Sequence, residues 1–366
     1  RSINGPFLEI LGASGAIVGI VAGFGEFIGY ALRLATGYYS DRSHKYWFFL
    51  ISGYIINLFS VPLLALAGNW QLAALLMILE RTGKAIRNPT RDAMLSYASK
   101  ETGRGWGFGL HEFMDQLGAT LGPLIVSAIL FFKHDNFHLS YLVLLIPAIF
   151  AMSVLAFAKK MYPDPHNLEF KKVDLHEGGR INSKLFVLYT IASMCFAAGY
   201  ADFPLIAFHF KQASLFGDGA IPLLYSLAML TEAVTALIAG RMLDKSGLMV
   251  LVIASIASMF FAPLVFLLDI RWAIAGMVLW GIGMGIQGSV MKAIIPDIVP
   301  GQRRATAFGL YDTFYGAAWF CGSALMGFIY DRSLVALVVF SIVVQLAGTV
   351  LLFIFTRFRR NQHVPG

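Results

Sequence analysis

Long apolar runs separated by short polar connections dominate the chain. A helix needs about 20 mostly apolar residues to cross a bilayer. Eleven stretches meet that need, at residues 11–36, 46–67, 71–97, 104–132, 139–158, 184–209, 219–241, 248–268, 272–298, 304–330 and 334–356. They are numbered spans 2 to 12, since an internal repeat asks for one more span ahead of them. Most connections are a few residues long. The exception is 160–183, with Pro163, Pro165, Lys171, Lys172, Gly178 and Gly179. It reads as a hydrated linker between an N-terminal bundle, 1–159, and a C-terminal bundle, 184–366.

Composition agrees with the pattern. Hydrophobic residues make up 58% and charged residues 13% of the 366, and mean hydropathy is +0.70. A soluble chain would be about a quarter charged, so a soluble enzyme or a nucleic-acid-binding domain is a poor reading. The formal charge of +7 is what basic cytoplasmic loops give a membrane protein. With the loop between spans 2 and 3 on the cytoplasmic side, cytoplasmic segments hold 18 of the 28 Lys and Arg and the opposite side five. That bias predicts a multi-pass protein of the cytoplasmic membrane with its C-terminus inside. Cys195 and Cys321 both lie in apolar runs and read as free thiols.

Two segments recur. RGWGFGLHE at 104–112 returns as RATAFGLYD at 304–312, and GYYSDRS at 37–43 returns as GRMLDKS at 240–246. Offsets of 200 and 203 residues imply two similar helical bundles. Six spans follow the linker and five precede it, so a first helix is expected to be missing before residue 11.

Charge within the spans follows a period of three. Spans 3, 6, 9 and 12 carry no Asp, Glu, Lys or Arg at depth. The others hold Glu26, Arg33, Glu80, Arg81, Lys84, Arg87, Glu112, Asp115, Asp202, Glu232, Lys292 and Asp312. Charge at membrane depth is costly and faces a bundle interior or a wet cavity. Three-helix repeats nested in each half would produce such a period.

These features resemble the major facilitator superfamily over essentially the whole chain. Gly37-Tyr-Tyr-Ser-Asp41-Arg42-Ser-His44-Lys45 is similar to that family's loop after helix 2, with His44 where a second Gly is usual. The second copy, Gly240 to Asp244-Lys245-Ser-Gly247, restores that Gly and ends without the basic residues. The stretch Glu80 to Asp92 resembles a prokaryotic group within the superfamily. The resemblance implies an all-α fold of two pseudo-symmetric six-helix bundles, with eleven of twelve transmembrane helices in this chain. It also implies a latch at the loop end, formed by Gly37, Asp41, Arg42, Arg91, Gly240, Asp244 and Lys245, with Arg91 or Arg42 as the partner of Asp41. Read without the family, the two carboxylates could pair with an Arg, interact with a helix N-terminus, whose partial positive charge favours an anion, or simply be solvated loop charges.

Span 4 is the most informative helix. Arg81, Lys84, Arg87 and Arg91 share a sector of roughly 120°. Together with the carboxylates of span 5 they read either as an ion-pair ladder or as the wall of a cavity for an anionic solute. Arg81, Lys84, Glu26 and Gln287 are the candidate substrate contacts. Asp115, Glu26, Asp202 and Glu232 are candidate proton carriers, because burial raises a carboxyl pKa and a nearby cation lowers it. No nucleophile–base pair marks an enzyme, and no cofactor or resident metal is expected. His134 and His138 read as loop residues. The expected function is secondary active transport of a small organic solute, with an anion favoured, across the cytoplasmic membrane by alternating access coupled to protons, by a monomer. The alternatives are an uncoupled facilitator and a membrane receptor.

Overall fold

The computed structural model describes residues 4–13, 15–132, 137–164, 183–216 and 220–362. These are helical, with no strand among the described residues. In chain order the first helices are α1 (Asn4–Ile10), α2 (Gly15–Ser43), α3 (Tyr46–Leu63), α4 (Trp70–Ala98), α5 (Arg104–Phe132), α6 (Phe137–Val143) and α7 (Leu145–Met161). After the expected linker, most of which lies outside the described residues, follow α8 (Ser183–Gly199), α9 (Phe203–Gln212), α10 (Ala220–Ser246), α11 (Met249–Ser258) and α12 (Phe261–Phe266). The last are α13 (Ile270–Gly285), α14 (Met291–Ile298), α15 (Arg304–Tyr330) and α16 (Leu334–Gln362).

Eight helical segments among the described residues are long and apolar enough to cross a membrane: Tyr46–Leu66, Arg104–Leu130, Phe137–Met161, Lys184–Gln212, Ala220–Ser246, Met249–Phe266, Ile270–Ile298 and Leu334–Arg359. The other three expected spans fall on α2, α4 and α15, of 29, 29 and 27 residues. On α16, Val335, Val339, Val343, Leu346, Val350 and Phe353 form an exposed apolar stripe at helical spacing. Such a stripe suits hydrocarbon and not water.

The chain divides into two compact units. The first comprises Arg1–Ala98, Ala119–His176 and Gly301–Thr313; the second comprises Ser99–Gly118, Glu177–Pro300 and Phe314–Gly366. Each unit therefore includes a short piece from the other half of the sequence, namely the start of α15 or the start of α5. In the first unit α4 packs on α2 and α3, and Phe7, Leu64, Met77 and Tyr141 belong to one buried cluster. In the second, α10 packs on α13 and α8 on α16, around Tyr200, Phe261, Trp280 and Met326.

Two irregularities in the second unit shape its interior. The 184–209 span breaks after Gly199, and α9 restarts at Phe203 with Pro204 in its first turn. Proline has no N–H and disfavours helix in the residue before it, so the carbonyls preceding it lose helical partners. Side chains take them over. The Trp280 indole donates to Ala201 O at 2.9 Å, and Ser341 and Gln345 donate to Gly199 O at 2.7 and 3.1 Å. The second irregularity is a π-helical turn, Ile286–Val290, joining α13 to α14. Extra residues of this kind recur at functional sites.

Candidate functional site

In the second unit, α5 and α10 bring carboxylates together. Gln116 Nε2 donates to Glu112 Oε1 at 3.0 Å and to Glu232 Oε1 at 2.8 Å, so one amide nitrogen bridges two acids. Glu112 is one helical turn before Gln116, which places both on the same face of α5. Its carboxyl lies against Gly288 of the π turn, where any side chain would collide with it at 2.7 Å. Asp115 is close enough to add its negative field at Glu232. The neighbouring Gln287 accepts from the Tyr315 hydroxyl at 2.6 Å.

A cavity of about 340 Å³ opens beside this group, lined by Gln116, Asp202, Phe203, Tyr225, Glu232 and Trp280, with Met229 and Met284 completing the apolar wall. Asp202 sits at the N-terminus of α9 through the Pro204 break, with extended backbone. Phe203 packs on Tyr225 with ring centroids 4.4 Å apart and on Trp280 at 6.3 Å. The site thus combines two acids, an amide and three aromatic rings. Gln116, Tyr225 and Trp280 escaped the sequence reading. Gln116 could have been found from its spacing to Glu112, whereas the two aromatic residues look like any others in an apolar run.

In the first unit, Glu80 gathers the basic face of α4. Arg81 Nε lies 3.2 Å and Lys84 Nζ 3.6 Å from its carboxylate, and Asn57 on α3 donates to it at 3.2 Å. Arg87 is buried with its guanidinium over the Tyr54 ring at 4.3 Å. Arg81 also passes Gly25, where a side chain would meet its Cγ at 3.2 Å. Arg33 on α2 pairs with Asp312 of α15 at 3.5 Å. The Glu26 side chain lies outside the described residues, as does His134.

Each unit holds an aspartate against a helix N-terminus. In the first, Asp41 accepts from the backbone amides of Ala305 and Thr306 at 3.1 and 2.6 Å, from the Thr306 hydroxyl at 2.6 Å and from the Tyr46 hydroxyl at 2.8 Å. In the second, Asp244 accepts from the amides of Gly105 and Trp106 at 2.8 and 2.7 Å. These amides open α15 and α5, whose first-turn N–H groups have no partner within the helix. An arginine was expected at Asp41 and does not reach it. Arg91 instead bonds Asp92 at 2.8 and 2.9 Å, and Arg42 donates to the Tyr38 hydroxyl at 3.2 Å. The amide dipoles supply the positive field that an arginine would have brought. Lys245 is exposed beside Asp244.

The glycines make these contacts possible. A Cβ on Gly37 would strike the Ala305 carbonyl, and one on Gly240 would strike the Gly105 carbonyl. Asp41 lies beyond the 11–36 span. Burial pushes its carboxyl above the ordinary value of 3.8, while the donors from Thr306, Tyr46 and Ala305 pull it back. Beyond the Asp244 cap, Asp297 on α14 receives both Arg104 and Arg359, the latter at 2.7 Å, a pairing the sequence did not reveal.

The sequence pattern of the Major Facilitator Superfamily matches residues 1–291 and 185–366. The chain belongs to the Major Facilitator Superfamily. It is therefore a multi-pass membrane protein, and its family and fold are those of transporters and not of enzymes. It is 36% identical over 357 residues to an uncharacterized protein of Mycobacterium tuberculosis, covering 96% of this chain and 87% of that one. An uncharacterized MFS-type transporter of Methanocaldococcus jannaschii is 26% identical over 364 residues, covering 95% of this chain and 89% of the relative. Among solved structures, the superfamily transporter FucP in its outward conformation shares the fold, with a TM-score of 0.75 and 13% identity over 98% of this chain and 94% of that one. FucP is a fucose:proton symporter of E. coli.

Proposed function

We propose that this superfamily member is a secondary active transporter that moves a small organic solute across the cytoplasmic membrane by alternating access, coupled to protons. The observation that carries the reading is the pair of aspartate caps, Asp41 on the start of α15 and Asp244 on the start of α5. Each is a compact, repeated contact of a few hydrogen bonds, which a small helix displacement would release. Alternating access needs such a bistable element at the gate. The loops that carry the caps belong to the cytoplasmic side by the bias of Lys and Arg.

Coupling falls to the carboxylates of the second unit. An ionised acid in an apolar wall is expensive unless partnered, and protonation removes the cost. Gln116 gives one N–H to Glu112 and one to Glu232, which holds the two acids close together, and a proton on either relieves their repulsion. Asp115 and Asp202 are the further candidates, and the proton symport of FucP supports the reading by analogy. The solute would contact Glu232 and Asp202 in the cavity, while Arg81 and Lys84 would serve mainly to neutralise Glu80.

Proteoliposomes test it. With an imposed pH gradient the wild-type chain should concentrate a solute, and Asp115→Asn should retain exchange but lose concentration. Gradient-driven accumulation by Asp115→Asn equal to wild type removes that residue from coupling. The same result for Glu232→Gln and Asp202→Asn places coupling outside these carboxylates, whereas a wild-type chain that only equilibrates the solute is an uncoupled facilitator.

A further inference from the structure

We propose that the cavity walled by α9, α10 and α13 binds an organic cation, an ammonium or pyridinium head on an aromatic or apolar body. The inference rests on the transporter reading for its purpose, though not for its chemistry. Among the described residues two carboxylates line the cavity, Asp202 and Glu232, and no Lys, Arg or His does. Glu232 is only 2% exposed; its Oε2 takes no donor by geometry, and the carboxyls of Glu112, within interaction range, and Asp115 add negative charge beside it. A buried carboxylate oxygen left without a donor is costly, and a cation in the cavity that Glu232 lines would offset that charge. Its other oxygen is held by Gln116, which fixes the direction of the carboxyl group.

The rest of the wall fits the same ligand. Phe203, Tyr225 and Trp280 form a contiguous aromatic set, and aromatic faces attract cations through their quadrupoles. Met229 and Met284 supply soft, adaptable apolar contact. A volume of about 340 Å³ lies at the small end of ligand pockets and admits a monocation of two rings. Lys292, the cation that follows the π turn on α14, is not among the lining residues. An anion in this cavity would face two acids and gain no cationic partner from the wall.

The test is equilibrium binding to the purified full-length chain in detergent micelles, read by calorimetry. The probes are 1-methyl-4-phenylpyridinium and biphenyl-4-carboxylate, a cation and an anion of similar shape. The cation should bind, with the anion on the order of tenfold weaker or worse. Glu232→Gln should weaken the cation by on the order of tenfold, since it removes one member of a desolvated charge pair. Asp202→Asn should weaken it less. If Glu232→Gln does not fold, Asp202→Asn and Tyr225→Leu carry the test, the latter with a loss of about threefold from one removed ring. Equal binding of the two probes, binding of neither, or unchanged cation affinity in all folded variants overturns the inference. Uptake is a separate readout. A chain that binds the cation but carries no solute in proteoliposomes keeps this inference and loses the transporter reading. A chain that carries a solute yet fails the binding test does the reverse.

Discussion

At the scale of single residues, the caps and one turn make sharp predictions. Asp41 is buried and takes four donors, whereas Asp244 is exposed and takes two. Removing a helix cap costs about 1–2 kcal/mol, so Asp41→Ala should lower the thermal midpoint more than Asp244→Ala does. Because the packed Asp41 carboxyl holds its proton more tightly than an exposed one, its contribution is largest below 3.8 and is lost as pH rises through the raised value. Asp41→Asn should flatten that part of the pH–stability profile, which thermal melts across acidic pH would record. His44 stands in left-handed backbone at φ 54°, and its repeat counterpart Gly247 does so at φ 70°. A side chain in that conformation costs roughly 1 kcal/mol, so His44→Gly should raise the melting midpoint. Gly37, Asp41, Gly240 and Asp244 were legible because the pattern occurs twice. Thr306 and Tyr46 were not, because an acceptor's sequence neighbours do not disclose which helix start will be packed against it. The arginine partner was what the family resemblance implied, whereas the reading of the residues alone had left a helix N-terminus open, and the amides of α15 and α5 fill that role.

At the scale of elements, the sequence revealed helices by length and charge by depth but disclosed only part of two departures from regular helix. The break before α9 was visible in Asp202-Phe203-Pro204, since proline's effect is local and covalent. What it could not show is the rescue of Gly199 and Ala201 by Ser341, Gln345 and Trp280, which come from distant segments. The π turn at Ile286–Val290 is a one-residue change of hydrogen-bond register, and Gly281, Gly283, Gly285 and Gly288 in the sequence fit close helix contact or a bend equally. Its role is testable. A Cβ on Gly288 would meet only the movable end of the Glu112 side chain, so Gly288→Val should displace that carboxyl at small cost in stability and impair transport beyond what the melting shift explains. Thermal melts and uptake on the same preparation would separate the two effects. The basic face of span 4 was likewise readable as charge in need of a partner. Its acid Glu80 lay in view, while Asn57 on α3 became evident only with the packing of α3 on α4.

At the scale of the whole molecule, the 200-residue repeat told the most, because symmetry constrains architecture more tightly than any local pattern. It led to the superfamily and to caps that recur in both units. It said nothing of the solute, because the lining of a cavity is set by side chains from helices far apart in sequence. Thus the basic residues of one helix suggested an anion, whereas Asp202, Glu232 and the three rings form a wall suited to a cation. The most direct measurement of the central claim is gradient-driven uptake into proteoliposomes containing the full chain. A panel of labelled organic cations and anions would be used, with the pH gradient imposed in either direction. The account predicts that at least one compound is concentrated above its external level, that a protonophore abolishes this, and that Asp115→Asn or Glu232→Gln leaves exchange without concentration. A chain that moves no compound faster than protein-free liposomes, or whose accumulation survives the protonophore, would contradict it.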